Sequence, residues 1–118
     1  MKTVPLRQVA LVIRSKNAGP FELTLDVLFG DEALYRRVRD ASVFTAASIA
    51  ALYHVPISAV LKVVHYDPAL AVKMTLARPL ASGALGESDV YGAQQHAPLL
   101  DLDIPEELVR AADEERTP

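Results

Sequence analysis

The chain contains no cysteine and no tryptophan, and aromatic residues make up only 6% of its 118 residues. Without cysteine it can form no disulfide, no thiolate nucleophile and no cysteine-ligated zinc site, which suits a reducing compartment. It also lacks an apolar stretch long enough to cross a membrane, and its first residues lack the apolar run of a secretory signal. We therefore expect a cytoplasmic protein with no membrane association.

An excess of positive charge is also lacking. Twelve Lys and Arg face fifteen Asp and Glu, a formal net charge of -3, and no basic run alternates with aromatic residues. Proteins that bind nucleic acid usually need such a basic surface, so we expect no nucleic-acid partner. Hydrophobic residues make up 51% of the chain and charged residues 23%, which is typical of a globular domain with one core.

Two strands are predicted near the start of the chain. Residues 8–13 are apolar on both faces, which favours a central strand covered on two sides. Residues 21–29 alternate apolar and polar side chains, and this period of two favours a strand over a helix that fits only part of the run. The string RSKNAGP between them, Arg14 to Pro20, is predicted to be a turn because Ser, Asn, Gly and Pro are favoured there.

Signals for helices and a hairpin follow. Asp31 and Thr45 are suited to cap two short helices, because their side chains can accept hydrogen bonds from free backbone amides. Residues 60–66 and 70–76 are rich in β-branched and large apolar side chains, with Asp67-Pro68 between them as a turn. These segments predict two helices followed by a β-hairpin.

The remaining sequence predicts a glycine-rich loop over residues 83–95 and a short strand over residues 100–104. We expect one α+β domain over residues 1–104, with residues 105–118 as a charged helix or a frayed tail. Helices that cover one face of a mainly antiparallel sheet form a two-layer sandwich, and ferredoxin-like topology is the nearest common template.

The string after the first strand is the first candidate binding site. Arg14 and Lys16 could bind a carboxylate or phosphate, and Ser15 and Asn17 could add hydrogen bonds. The alternative is that the same residues only connect two strands, since they are the types that turns prefer.

The glycine-rich loop holds the second group of candidates. Asp89 is a candidate base, with Gln94 and Gln95 as hydrogen-bonding neighbours, although a solvated turn residue would look the same. His96, after the loop, is a candidate acid or base. The loop lacks the glycine spacing of nucleotide-binding loops, and the three histidines lack metal-ligand spacing, so we expect no cofactor and no metal.

Four strings give the chain a family resemblance: RSKNAGPFELTLDVLFGDEALYRRV, ARPLASG, SDVYGAQQ and LLDLDIP. The chain resembles domain of unknown function 4387, small proteins encoded beside or fused behind acyclic terpene utilisation (AtuA-like) large proteins. The resemblance implies a role beside such a large protein in catabolism of an acyl-CoA or a branched carboxylic acid. Ser15 and Lys16 stand where the large protein's small ferredoxin-like domain has Ser-Gly-Asp-Lys-Gly, but the Gly-Asp-Lys order is lost, so a shared fold is implied rather than a shared activity.

Three functions remain open, and whether the protein is an enzyme is undecided. The first is an accessory subunit that joins a homo-oligomer or an AtuA-like protein and completes a pocket for a small carboxylate or acyl-CoA. The second is a self-sufficient lyase or isomerase acting on a carboxylate, with Asp89, His96 or Lys16 as catalytic candidates. The third is a plain ligand-binding or regulatory module. The pocket is predicted to contain Arg14, Ser15, Lys16, Asn17, Arg78, Asp89, Gln94 and Gln95.

Overall fold

The computed structural model describes residues 2–19, 21–77 and 96–116, which form an α+β structure. The strands are β1 (Thr3–Pro5), β2 (Val12–Asn17), β3 (Glu22–Leu28), β4 (Val60–Tyr66), β5 (Ala71–Ala77) and β6 (Asp103–Pro105). The helices are α1 (Glu32–Asp40), α2 (Ala46–Tyr53), α3 (Ala97–Leu100) and α4 (Glu106–Arg116). Within these ranges, no helix is both long and apolar enough to cross a membrane.

Four strands form one antiparallel sheet in the order β2-β3-β5-β4, and β1 pairs with β6 in a separate small sheet. The chain turns between β2 and β3 at Gly19, whose φ of 105° lies in the region that favours glycine. Helices α1 and α2 connect β3 to β4, and the predicted hairpin of β4 and β5 is confirmed.

The core lies between one face of the large sheet and the helices. Leu25 and Val27 of β3, Val38 of α1 and Ile49 of α2 are fully buried in one apolar cluster. A sheet covered in this way is a two-layer α+β sandwich, as the sequence predicts. The ferredoxin-like template is not confirmed, since in the described residues two strands of the large sheet precede the first two helices and its other two follow them.

Local signals account for the positions of α1 and α2. The Asp31 side chain accepts a hydrogen bond from the Ala33 amide at 3.1 Å. Thr45 and Ser48 form a reciprocal capping box at the start of α2. His54 ends that helix in the left-handed conformation, with φ of 57°. Both predicted helices are confirmed.

The charged C-terminal residues form helix α4, which packs against α1. Ala112 is fully buried at this contact, and Glu115 accepts hydrogen bonds from Arg36 at 2.8 Å and Arg37 at 3.0 Å. Of the two expectations for this segment, a helix or a frayed tail, the described residues show the helix.

Four predictions about strands need correction. The first strand begins at Val12 rather than residue 8, because Leu6–Gln8 form a turn of 3₁₀ helix that buries Leu6. The segment Arg14 to Asn17 is the second half of that strand and not a turn. Among the described strands β2 pairs only with β3, so it is an edge strand and not a central one. The last strand begins at Asp103, after α3.

Candidate functional site

Strand β2 divides the predicted anion site between two faces of the sheet. Ser15 and Asn17 pair with buried leucines of β3, whereas Arg14 and Lys16 pair with the polar positions of β3. Because directly opposed residues of antiparallel strands point to the same face, Ser15 and Asn17 lie on the core side. Arg14 and Lys16 lie on the other side, which we call the outer face.

The pairing register collects four cations on the outer face. One cross-strand row runs through Arg14, Asp26, Lys73 and Val64. The next row runs through Lys16, Thr24, Thr75 and Lys62. Opposed residues in such rows are separated by about 5 Å. The same face carries two carboxylates, Asp26 in the first row and Glu22 one row beyond Thr24.

Asp26 is the most unusual residue of this face, because it is charged and only 8% exposed. Arg14 Nε donates a hydrogen bond to its Oδ2 at 3.2 Å. Its Oδ1 is buried and has no hydrogen-bond partner within the part of the chain that the structure describes. Nearly all buried polar atoms in proteins are hydrogen-bonded, so an unused carboxylate oxygen marks a position that stability alone does not explain.

Lys16, Lys62 and Lys73 form no ion pair among the described residues, although Lys73 is directly opposite Asp26. The outer face therefore carries a local excess of positive charge that the formal net charge of -3 does not reveal. A surface of this kind raises the local concentration of anions.

A groove of about 420 Å³ lies on the outer face, within the usual size range of small-molecule sites. One part of it is polar and the other is apolar, so the groove suits a ligand with an anionic group and a hydrocarbon part. We call it the outer groove, and its lining residues are Arg14, Asp26, Leu28, Lys62, Val64, Tyr66, Ala69, Ala71 and Lys73.

Only Arg14 among these lining residues belongs to the predicted site. Asp26, Lys62 and Lys73 are site residues that were not predicted from the sequence. The sequence does carry a signal for these polar positions. Asp26 is on the polar side of an alternating strand, and each lysine interrupts an apolar strand of the hairpin. Alternation alone cannot predict that the three side chains lie close together, since their proximity depends on how strands distant in sequence pair with each other.

Two other predicted residues meet on the core side of β2. Ser15 Oγ lies 3.4 Å from His96 Nδ1, just before α3 begins. Lys16 lies on the opposite face, so His96 and Lys16 are not placed to act on the same small substrate from one side of the strand. Arg78, Asp89, Gln94 and Gln95 lie outside the described residues, and their roles stay predictions.

A second polar cluster joins α1 to the turn between β4 and β5. The Tyr35 hydroxyl donates to Asp67 Oδ1 at 2.5 Å, and Arg39 Nη1 donates to Oδ2 at 3.1 Å. The hydrogen bond from Tyr35 lowers the pKa of Asp67, and burial raises the pKa of Tyr35 to about 12. Burial also lowers the pKa of nearby His65. With Tyr35 neutral and Asp67 ionised near neutral pH, the cluster acts as a structural clamp.

No group of three or more His, Asp or Glu that could hold a metal ion occurs in the part of the chain that the structure describes. Fold and site thus define a small α+β domain with a cationic, partly apolar groove on the outer face of its sheet. The chain belongs to the family described as Domain of unknown function (DUF4387), whose model matches residues 6–103. Comparisons with curated proteins and with solved structures give no match.

Proposed function

We propose that this protein binds a small carboxylate, either free or as the carboxylate-bearing acyl part of a coenzyme A thioester, in the outer groove. In this proposal it acts in the cytoplasm as an accessory subunit beside an AtuA-like large protein. The observation that carries the binding proposal is the pair of groove lysines, Lys62 and Lys73, which have no ion-pair partner among the described residues, in a groove that is partly apolar.

Electrostatics favours an anion over a neutral ligand. Among the described residues, Arg14, Lys62 and Lys73 line the groove with one carboxylate, Asp26, so an added anion reduces the repulsion among the cations. Hydrogen bonds between charged groups are stronger than neutral ones, and Arg14 can bind a carboxylate through two N–H groups. Arg14 and Lys73 flank Asp26 in one row, and this places two donors at the same end of the groove.

The apolar part of the groove favours a ligand with a short hydrocarbon chain. Leu28, Ala71 and Tyr66 form a row beside the one that contains Lys73, and Val64 adjoins them. Burial of about 100 Å² of hydrocarbon there would contribute about 2.5 kcal/mol. A volume of about 420 Å³ is near the small end of ligand sites, so it suits an acyl group better than a whole nucleotide-bearing thioester.

The accessory role is supported by the edge of the sheet next to the groove. Among the described strands β4 pairs only with β5, and it is flanked by the exposed apolar side chains of Ile57, Leu61, Val64 and Tyr66. Unpaired edges and apolar patches are common sites of protein association. Because Val64 and Tyr66 also line the outer groove, a subunit bound at β4 would close one side of it.

A second candidate function is a self-sufficient lyase or isomerase that acts on a carboxylate. The contact of 3.4 Å between Ser15 and His96 favours it, because a histidine placed by a hydrogen bond can transfer protons. The separation of His96 from the outer-face cations makes this proposal the weaker one.

Calorimetric titration of the purified chain with 3-methylbutanoate and with glutaryl-coenzyme A, whose acyl part keeps a free carboxylate, tests the binding proposal. Lys73→Met removes a groove cation and should weaken binding at least tenfold, as expected for the loss of one charged hydrogen bond. Lys2→Met is the matched control, because Lys2 is an exposed lysine that does not line the groove. A wild-type chain that binds neither compound, or equal weakening by both variants, would contradict the proposal.

A further inference from the structure

Asp26 has hydrogen-bonding capacity that the described residues do not use. Its Oδ2 accepts one bond from Arg14, and its Oδ1 is buried without a donor. Lys73 stands next to it in the pairing register but forms no ion pair with it. Asp26, the only carboxylate among the described lining residues of the outer groove, is therefore half satisfied.

This carboxylate also creates a difficulty for an anionic ligand. A plain carboxylate bound between Arg14 and Lys73 would place its negative charge close to that of Asp26, and like charges repel. A hydrogen-bond donor on the ligand would remove the difficulty, because the group facing Asp26 would then attract it. Sites built to bond a ligand hydroxyl strongly reject the analogue that lacks it, since their own polar group stays unpaired.

The donor is restricted by the charges around it. An ammonium group would be repelled by the four basic residues of the outer face. A neutral hydroxyl avoids this repulsion and can still donate to a carboxylate.

We propose that the ligand of the outer groove is a hydroxycarboxylate whose hydroxyl donates to Asp26 Oδ1 while its carboxylate binds Arg14 and Lys73. This inference rests on the proposed anion binding in the same groove. Neighbouring positions of the row are about 5 Å apart, so hydroxyl and carboxylate are close together in the ligand, as in 2-hydroxy and 3-hydroxy acids. The apolar row with Leu28 and Tyr66 is roughly 7 Å further along the strands and holds the hydrocarbon chain.

Access to Oδ1 requires one side chain to move. The Arg14 side chain is 62% exposed and contacts Asp26 through a single bond of 3.2 Å. A long exposed side chain with one such contact can swing aside and stay bonded to the incoming carboxylate. The hydroxyl then takes the position next to Oδ1.

The test compares three ligands that share one carbon skeleton. We expect 2-hydroxy-3-methylbutanoate or 3-hydroxy-3-methylbutanoate to bind the wild-type chain about tenfold or more tightly than 3-methylbutanoate, the ratio expected of one hydrogen bond to a charged acceptor. Calorimetric titration at one salt concentration gives the three dissociation constants.

Two variants of Asp26 and one matched control identify the acceptor. Asp26→Val removes the acceptor, and Asp26→Asn removes the charge in the same shape, so each should bind 3-methylbutanoate at least as well as wild type and lose most of the preference. The control is Thr24→Val, because Thr24 is the other buried polar residue of β3 and should leave the preference intact. Circular dichroism establishes whether each variant is folded. If Asp26→Val does not fold, Asp26→Asn alone tests the role of Asp26.

Two negative results have different meanings. If the wild-type chain binds all three acids with equal affinity, the hydroxycarboxylate inference is overturned and the proposed anion site stands. If it binds none of them, the proposed function fails and this inference fails with it. Preference for a hydroxy acid that persists in both Asp26 variants would also overturn the inference.

Discussion

A carboxylate at position 26 is buried on a sheet face where the neighbouring side chains are basic. Arg14 supplies its single hydrogen bond, and Lys73 faces it from the next strand. A buried charge that loses its partner is costly, whereas an exposed lysine without contacts contributes little to stability. Arg14 and Lys16, two cations on the same strand and the same face, should therefore differ in their effect on folding.

This difference can be measured with a pair of substitutions. Arg14→Met leaves Asp26 without its donor and should lower the free energy of unfolding by about 1 kcal/mol, a small value for a buried charge because Arg14 is itself largely exposed. Lys16→Met should change it by no more than about 0.5 kcal/mol. Urea unfolding of the two variants decides the point, and equal destabilisation would mean that the pair of Arg14 and Asp26 does not stabilise the fold.

At the scale of elements, the clamp of Tyr35, Arg39 and Asp67 holds α1 against the hairpin. His65 lies beside it on β4, and its buried Nε2 has no hydrogen-bond partner in residues 2–19, 21–77 and 96–116. Burial disfavours the charged imidazolium and lowers the pKa of His65 below its ordinary value of 6.5, with the charge of Asp67 opposing this in part.

The sign of the resulting pH effect follows from proton counting. Between pH 6.5 and the lower pKa of folded His65, the unfolded chain binds more protons than the folded one, so the free energy of unfolding falls as the pH falls. We expect this loss in urea unfolding between pH 7.5 and 5, and expect His65→Met to abolish it. His54→Asn is the control, because His54 is an exposed helix cap with positive φ, which Asn tolerates. A slope that survives in His65→Met would contradict this assignment.

The elements also show which parts of the fold a sequence can predict. Helices α1 and α2 were predictable because the side chains of Asp31 and Thr45 cap them through hydrogen bonds to backbone amides only two or three residues later. The start of β2 could not be predicted in this way. The apolar residues before Val12 belong to the 3₁₀ turn and the residues that follow it, and they pack on the core. An apolar pattern alone does not distinguish such a turn from a strand. The outer groove was predictable only in part: Arg14 was recognised by its charge, but Lys73 joins it only through the register of β3 with β5.

In the whole molecule, the proposed association surface along β4 adjoins the proposed ligand site in the outer groove. The apolar side chains along β4 lie at the rim of the groove, so a partner bound there would touch the ligand. The part of the proposal that concerns an AtuA-like protein depends on this edge.

Association through β4 can be tested by adding a charge to it. Leu61→Lys places a cation on the exposed edge and should abolish binding to the proposed AtuA-like partner, or self-association where that occurs. Phe21→Lys is the control, because Phe21 is similarly exposed but lies at the turn between β2 and β3. Light scattering of the chain, alone and mixed with the large protein, gives the result. A wild-type monomer that ignores the partner would contradict the accessory role.

Binding of a ligand on the outer face of the sheet can be detected directly by methyl NMR, which reports contacts at individual side chains. During titration with 3-hydroxy-3-methylbutanoate, the methyl signals of Leu28, Val64 and Ala71 should shift in a saturable way, because these side chains line the groove. The methyl signals of Leu25 and Val27, on the core side of β3, should stay nearly unchanged. Saturable shifts confined to the core side, or no saturable shift at all, would contradict the account.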